Sequence, residues 1–322
     1  MPAAPHPISP ADRSRGFALG VLGVVIFAMT LPMTRLAVGA AGDPQLPPAF
    51  VTAGRAGLAG LLSLVYLRWV GASRPARAFW PALLVCALGT VLGFPLFLAL
   101  ALRHVDAMHA AVVTGVLPLG TAMAAALWLR QRGSPGFWVC AVIGCALVLA
   151  FAALRGQGGL SAADGLLLLA VACASIGYVA GAQVSARLPA EQVICWVLVL
   201  SLPLTLPAMV ATWPSNAAAV RASAWGGLAY VTLFSMWLGF FAWYRGLALG
   251  GVLRVSQVQL LQPFLALLFA VPVLGERLDA VTLGFALAVM AVVLVGKRMP
   301  LKRPATSKID PSLVRSTEAV RS

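Results

Sequence analysis

The polar residues able to do chemistry are few, and most sit inside long apolar runs. Ser256, Gln259 and Gln262 recur every third residue, which places them on one face of a helix. An amide in hydrocarbon is costly unless paired, so this face is expected to look inward. It can serve as a hydrogen-bonding wall for a solute, or as glue between helices worth on the order of 0.6 kcal/mol per contact. Thr114 stands 145 residues before Gln259 and would face the same space. Phe234, Trp237, Phe241 and Tyr244 form an aromatic stripe at spacings of 3, 4 and 3. Such stripes usually pack. Trp237, however, lies deep in a run rather than at an interface, where tryptophan prefers to sit, and its N–H needs a partner when buried. Trp237, Phe241 and Tyr244 are therefore candidates for a cavity wall, as are Thr30, Ser175 and Tyr178. His109, the one histidine inside an apolar run, is the candidate proton site, its alternative being a capped helix end. Arg35 and Arg55 stand toward the ends of two successive runs. They could attract a carboxylate, although arginines so placed more often reach along the helix to the interface.

Other chemistries are missing from the pattern. Asp12, Asp43, Asp106, Asp164, Glu191, Glu276, Asp279, Asp310 and Glu318 all fall in links, tails or run ends. With no carboxylate at mid-run, exchange of cationic drugs for protons is disfavoured, and with no lysine there, sugar phosphates are too. A small neutral or zwitterionic solute suits such a chain. Cys86, Cys140, Cys145, Cys173 and Cys195 lie in apolar runs without a Cys-x-x-Cys pair, so no disulfide or metal framework is expected. No metal, no other cofactor and no ATP-binding loop are implied. A membrane enzyme would need convergent catalytic groups, and the only such set is Arg103, His104, Asp106 and His109.

The elements that must position these residues follow from composition. The chain has 322 residues, is 61% hydrophobic and only 10% charged, with a mean hydropathy of +0.94. No water-facing surface could be covered by so few polar groups, whereas a membrane span needs only about 20 apolar residues. The runs predict an all-α integral membrane protein with ten spans, at 17–38, 48–68, 79–101, 107–129, 136–154, 163–185, 192–212, 224–245, 254–273 and 279–297. The run from Phe17 to Met33 is longer than the ~7–15 apolar residues of a cleaved signal and reads as the first span. The net charge of +14 lies in the links and in a basic tail, a placement that suits an anionic lipid face rather than nucleic acid. With both termini in the cytoplasm, inner links hold ten Lys/Arg against six on the outer side before the tail is counted, as the positive-inside rule asks. The predicted division is a tail (1–15), a first five-span repeat (16–154), a second (155–297) and a basic cytoplasmic tail (298–322). A shift of 145 carries Pro118 onto Pro263 and Arg132 onto Arg277. Because five is odd, the halves would insert in opposite orientations, the arrangement that permits alternating access. Mid-span prolines remove a helix hydrogen bond, so Pro118 and Pro263 are candidate hinges. Gly89 and Gly93 could pack helices within one chain or across a homodimer.

The segment Gln262-Pro263-Phe264, running to Leu274-Gly275-Glu276-Arg277-Leu278 and then through Gly284 to Gly296, resembles the end of an EamA domain of the drug/metabolite transporter superfamily. Gly20 to Ala153 matches the same pattern more loosely, with Gln131 where the family places a glutamate after the fourth span. The resemblance covers roughly 16–297. It implies two units of five helices and export of small metabolites, amino acids or drugs across a bacterial inner membrane. It also implies a central cavity lined by spans 1, 3, 4, 6, 8 and 9. The expected function is secondary export of a neutral or zwitterionic metabolite, with a multidrug exporter of the same fold or a membrane-embedded enzyme as alternatives.

Overall fold

The structure is a computed structural model of the chain and describes residues 10–128, 132–155, 160–185, 188–250, 255, 258–299, 301 and 302. It is almost wholly helical. Among the described residues, eight helices are long and apolar enough to cross a membrane: α1 (Ser14–Val38), α2 (Pro48–Trp69), α3 (Arg77–Ala101), α4 (Ala107–Trp128), α5 (Pro135–Arg155), α6 (Ala162–Ser185), α7 (Glu191–Ala211) and α8 (Ala222–Leu247). Two shorter apolar helices follow, α9 (Val258–Leu274) and α10 (Ala280–Gly296). The protein is a multi-pass membrane protein. The all-α expectation needs one small amendment, since Gly39–Ala40 pairs with Asp43–Pro44 and Arg132–Gly133 with Leu301–Lys302 as two-residue antiparallel strands. Large apolar side chains such as Val65, Leu127, Val142 and Val210 are two-thirds or more exposed, an arrangement suited to lipid and not to water.

One helix is broken near its middle, and another changes form close to the start of its described length. In α4 the first stretch ends at Thr114 and a second runs from Leu117 to Trp128. In α9 a tight turn, Val258–Leu261, precedes the stretch Gln262–Leu274. Pro118 and Pro263 were expected as kinks inside continuous helices, and the structure corrects this. Each is the second residue of a new helical stretch, where a missing N–H costs nothing because the first turn has no intrahelical acceptor for it. Two other helices carry π-helical stretches, Ala87–Gly93 in α3 and Val231–Leu238 in α8. The shift of 145 carries residues 87–93 onto 232–238 and Leu117 onto Gln262.

Glycines set the closest approaches. A Cβ on Gly16 would lie 2.1 Å from the nitrogen of Gly250, and one on Gly246 would lie 2.7 Å from that of Gly20. The backbones of α1 and the end of α8 therefore touch directly. Gly89 and Gly93 press α3 against Cys173 of α6 in the same way. Those two glycines are occupied within the chain and give no support to a homodimer.

The links 39–47, 102–106, 212–221 and 275–279 gather at one end of the molecule together with residues 160 and 161, and this end is called the link face below. Arg35 bonds the carbonyl of Leu102, and Arg103 Nη2 donates to the carbonyl of Leu46 at 3.0 Å. Arg221 pairs with Asp43, while its backbone N–H donates to Gln45 Oε1 at 3.0 Å. Glu276 accepts the N–H groups of Ala107 (2.7 Å) and Met108 (2.8 Å), satisfying two orphan donors at the start of α4 and placing an anion at a helix N-terminus. Gly275 supplies the left-handed turn, at φ 71°, that ends α9 and lets the chain deliver Glu276 there. Arg132–Gly133, paired with Leu301–Lys302 beyond the end of α10, lies at the other end of that helix from Arg277, which precedes its start.

Asp279 caps α10 by accepting from the Thr282 N–H at 2.8 Å, and it also pairs with Arg155. These two interactions, the Thr282 bond foremost, hold its carboxyl below the usual range. A depressed carboxyl stabilises the fold fully above its unfolded pKa and loses that contribution as pH falls through the folded value. Asp279→Ala is expected to cost about 1 kcal/mol at neutral pH. In detergent melts of the full-length protein, the gap from the parent should narrow below about pH 4. An equal gap at both pH values would mean that the carboxylate charge contributes nothing.

Candidate functional site

A cavity of about 90 Å³ lies beside the breaks of α4 and α9. Its wall takes Phe27, Thr30 and Leu31 from α1, Thr90 and Phe94 from α3, and Thr114, Leu117 and Pro118 from α4. Tyr178 of α6, Ser235 and Phe240 of α8, Gln259, Gln262 and Pro263 of α9, Arg55 of α2 and Met290 of α10 also line it. The breaks account for its position. Where a helix stops and restarts, backbone groups lose their i→i−4 partners, and inside a membrane they must be met by neighbours or by water in a cavity.

Of the expected wall, Thr30, Thr114, Tyr178, Gln259 and Gln262 come together here with both prolines. Thr30 Oγ1 lies 2.8 Å from Ser235 Oγ, and Thr114 Oγ1 donates to its own helix at the carbonyl of Ala110. Ser256 lies outside the described residues. Ser175 is buried but lies against Gly120 of α4, away from the cavity.

The aromatic stripe does not line the cavity. Trp237 and Phe241 pack on each other and on Tyr66 of α2, at centroid distances between 4.9 and 6.4 Å. Tyr244 leans on Phe240, and Phe234 lies half-exposed against Tyr230. The reason is the π-helical stretch. Its extra residue per turn rotates everything after it, so a stripe drawn at 3.6 residues per turn points the wrong way. The structure turns Ser235 and Phe240 inward instead, and nothing in the spacing marked either.

His109 does not line the central cavity either. Its Nε2 is 2.6 Å from Asp164 Oδ1, with the two side chains 11% and 4% exposed. Asp164 also accepts from the backbone and hydroxyl of Ser161, at 2.8 and 2.7 Å, while Ser161 Oγ accepts from the Asp164 N–H, a reciprocal cap on α6. His104 and Arg155 share the surface hollow around this pair. Of the four residues of the enzyme alternative, His104 and His109 share this hollow, whereas Arg103 and Asp106 do not line it. His109 faces Asp164, Arg103 the carbonyl of Leu46, and Asp106 stands 3.7 Å from Arg35. Among the described residues no group of three or more His, Cys, Asp or Glu is placed to hold a metal.

On the link face, burial draws the Glu276 carboxyl upward, against the downward pull of its two backbone donors. Burial also lowers Arg103.

Arg55 departs furthest from expectation. It does not reach for the interface. Residues 51–57 of α2 are buried on every side, and Arg55 itself is 3% exposed, on the cavity wall. The signal was present in the sequence. Ala53, Gly54, Ala56 and Gly57 surround the arginine with small residues, which mark a stretch packed all round and leave no lipid boundary for the side chain to climb.

The pattern of EamA-like transporters matches twice, over residues 14–152 and 161–296. The chain belongs to the EamA-like transporter family. It is 42% identical over 285 residues to the "Uncharacterized transporter YdeK" of Bacillus subtilis, covering 88% of this chain and 98% of that one. It is 26% identical over 287 residues to the "Probable terminal-alkyne amino-acid exporter" of Streptantibioticus cattleyicolor, covering 86% and 92%. A crystal structure shares the fold at a TM-score of 0.59 and 20% identity, over 89% of this chain and 97% of that one. The family and these two relatives are named as transporters, not as enzymes.

Asp164→Ala should cost about 1–3 kcal/mol, since it removes the partner of His109 and of Ser161 from a buried site, yet leave flux through the cavity intact. Melting curves and flux at several external pH values check this. A variant that kept its stability but lost pH dependence would make the pair a proton relay instead of a lock between α4 and α6.

Proposed function

We propose that this EamA-like transporter is a secondary exporter of small neutral or zwitterionic metabolites, amino acids or related compounds among them, working by alternating access. The solute sits in the cavity between the breaks of α4 and α9. The two halves are taken as inverted five-helix repeats in a bacterial inner membrane, with both termini in the cytoplasm. The observation that carries this reading is the polar cavity itself, set where the two discontinuous helices meet. Paired breaks of this kind are how membrane carriers present binding groups at mid-bilayer.

The shared 145-residue shift of π-helical stretches, helix restarts and prolines supports an inverted duplication, as do Arg132 and Arg277 at opposite ends of α10. In the alternate state the link-face contacts would part while the opposite end closes. The name of the Streptantibioticus relative supports amino acids as the solute class. Coupling is weak on this reading: no carboxylate lines the cavity among the described residues, so flux is either facilitated or coupled to a proton at His109.

Comparing metabolites inside and outside cells, with and without the protein, tests the reading directly. Gln259→Leu is expected to lower flux roughly five- to tenfold, the worth of one hydrogen bond of about 1–1.5 kcal/mol, while membrane insertion is unchanged. Undiminished flux would remove the amide wall. Pro263→Ala frees φ at the restart of α9, where the regained N–H has no acceptor within its own helix, and should loosen that point, shifting the accessibility of single cysteines placed at the two mouths. If labelling at both mouths stayed the same, the break would not be a hinge.

A further inference from the structure

The guanidinium of Arg55 is only partly satisfied. Nη2 donates to Ser235 Oγ at 3.1 Å, and that hydroxyl lies 2.8 Å from Thr30 Oγ1. Nε and Nη1 are buried without a partner. Arg55 takes part in none of the ion pairs among the described residues, and no aspartate or glutamate lines the cavity with it. An arginine keeps its charge under all physiological conditions. A buried, unpaired cation is strongly destabilising, and a protein built only for stability would have an apolar side chain there. The other ligands on the wall are neutral: Thr30, Thr114, Tyr178, Gln259 and Gln262.

From this we infer that Arg55 anchors the carboxylate of the transported solute, so that the site takes carboxylate-bearing molecules and refuses the matching amines and amides. The inference rests on the transporter reading above and narrows it. A guanidinium's planar array of donors suits a carboxylate and gives charge-assisted hydrogen bonds stronger than neutral ones. Ser235 and Thr30 hold the head group in place, leaving the unpaired donors free for the solute. The carbonyl oxygens of Gln259 and Gln262 can accept from an ammonium at the other end, which admits amino acids without requiring an acidic partner. Discrimination then follows from the unpaired charge of Arg55, which only a solute that brings an anion relieves.

The test uses the full-length protein in cells and, after purification, in detergent. Solutes inside and outside cells are compared for the parent, Arg55→Gln and Arg55→Lys at equal membrane abundance. Solutes exported by the parent are expected to carry a carboxylate. Arg55→Gln should export them at least tenfold more slowly, and Arg55→Lys, which keeps the charge but not the fork, should retain part of the flux. Purified Arg55→Gln should melt at or above the parent, because it removes an unpaired charge. Three results would overturn the anchor and leave the transporter reading intact: exported solutes without a carboxylate, undiminished export by Arg55→Gln, or an Arg55→Gln variant that melts well below the parent. A parent that moves no solute at all would bring down the transporter reading, and the anchor with it.

Discussion

In hydrocarbon no water is available to meet a backbone N–H or C=O, and this constraint shapes the whole molecule. It forces the apolar runs into helices, which satisfy their own backbone. It also makes any interruption of a helix expensive unless something polar lies nearby. The two interruptions, before Leu117 and before Gln262, fall beside the same cavity. There Pro118 and Pro263 begin new helical stretches instead of distorting old ones. The polar wall and the broken backbone are thus two aspects of one arrangement: the breaks need polar groups nearby, and the cavity wall gathers Thr30, Arg55, Thr114, Ser235, Gln259 and Gln262 there.

The link face answers the same constraint at the membrane boundary. Helix ends expose unsatisfied donors and acceptors, and here they are met by side chains reaching from distant links. Glu276 serves the start of α4, Asp279 the start of α10, and Arg103 the carbonyl of Leu46. Asp279 caps its own helix and also pairs with Arg155, while the Glu276 and Arg103 contacts join segments far apart in the chain, so the helix ends are held relative to one another. Contacts of a few charged side chains can be exchanged at modest cost, unlike an interlocked apolar core.

Much of this was legible in the residues. Apolar runs located the helices because length and hydropathy are what a bilayer selects for, and the ends agreed wherever a proline, glycine or aspartate marked a stop, as at Pro48, Gly275 and Asp279. The polar wall was partly legible: Gln259 and Gln262 on one face, with Thr114 opposite by the 145-residue shift. What stayed hidden depended on departures from the regular helix. The π-helical stretch in α8 turned Trp237 and Phe241 onto Tyr66 and brought Ser235 to the cavity, and no residue type announces such a stretch. His109 found its partner in Asp164 across 55 positions of sequence, a pairing that only the packing of α4 on α6 creates.

The glycine seam between α1 and α8 has a consequence for mechanism. Gly16, Gly20, Gly246 and Gly250 bring the two main chains into direct touch, with Val255 packed against Gly20 and Gly250 beside them. Yet α1 lies in the first matched unit and α8 in the second. In the proposed alternating-access cycle these two helices would travel as a single strut, so the moving parts would not coincide with the two matched units.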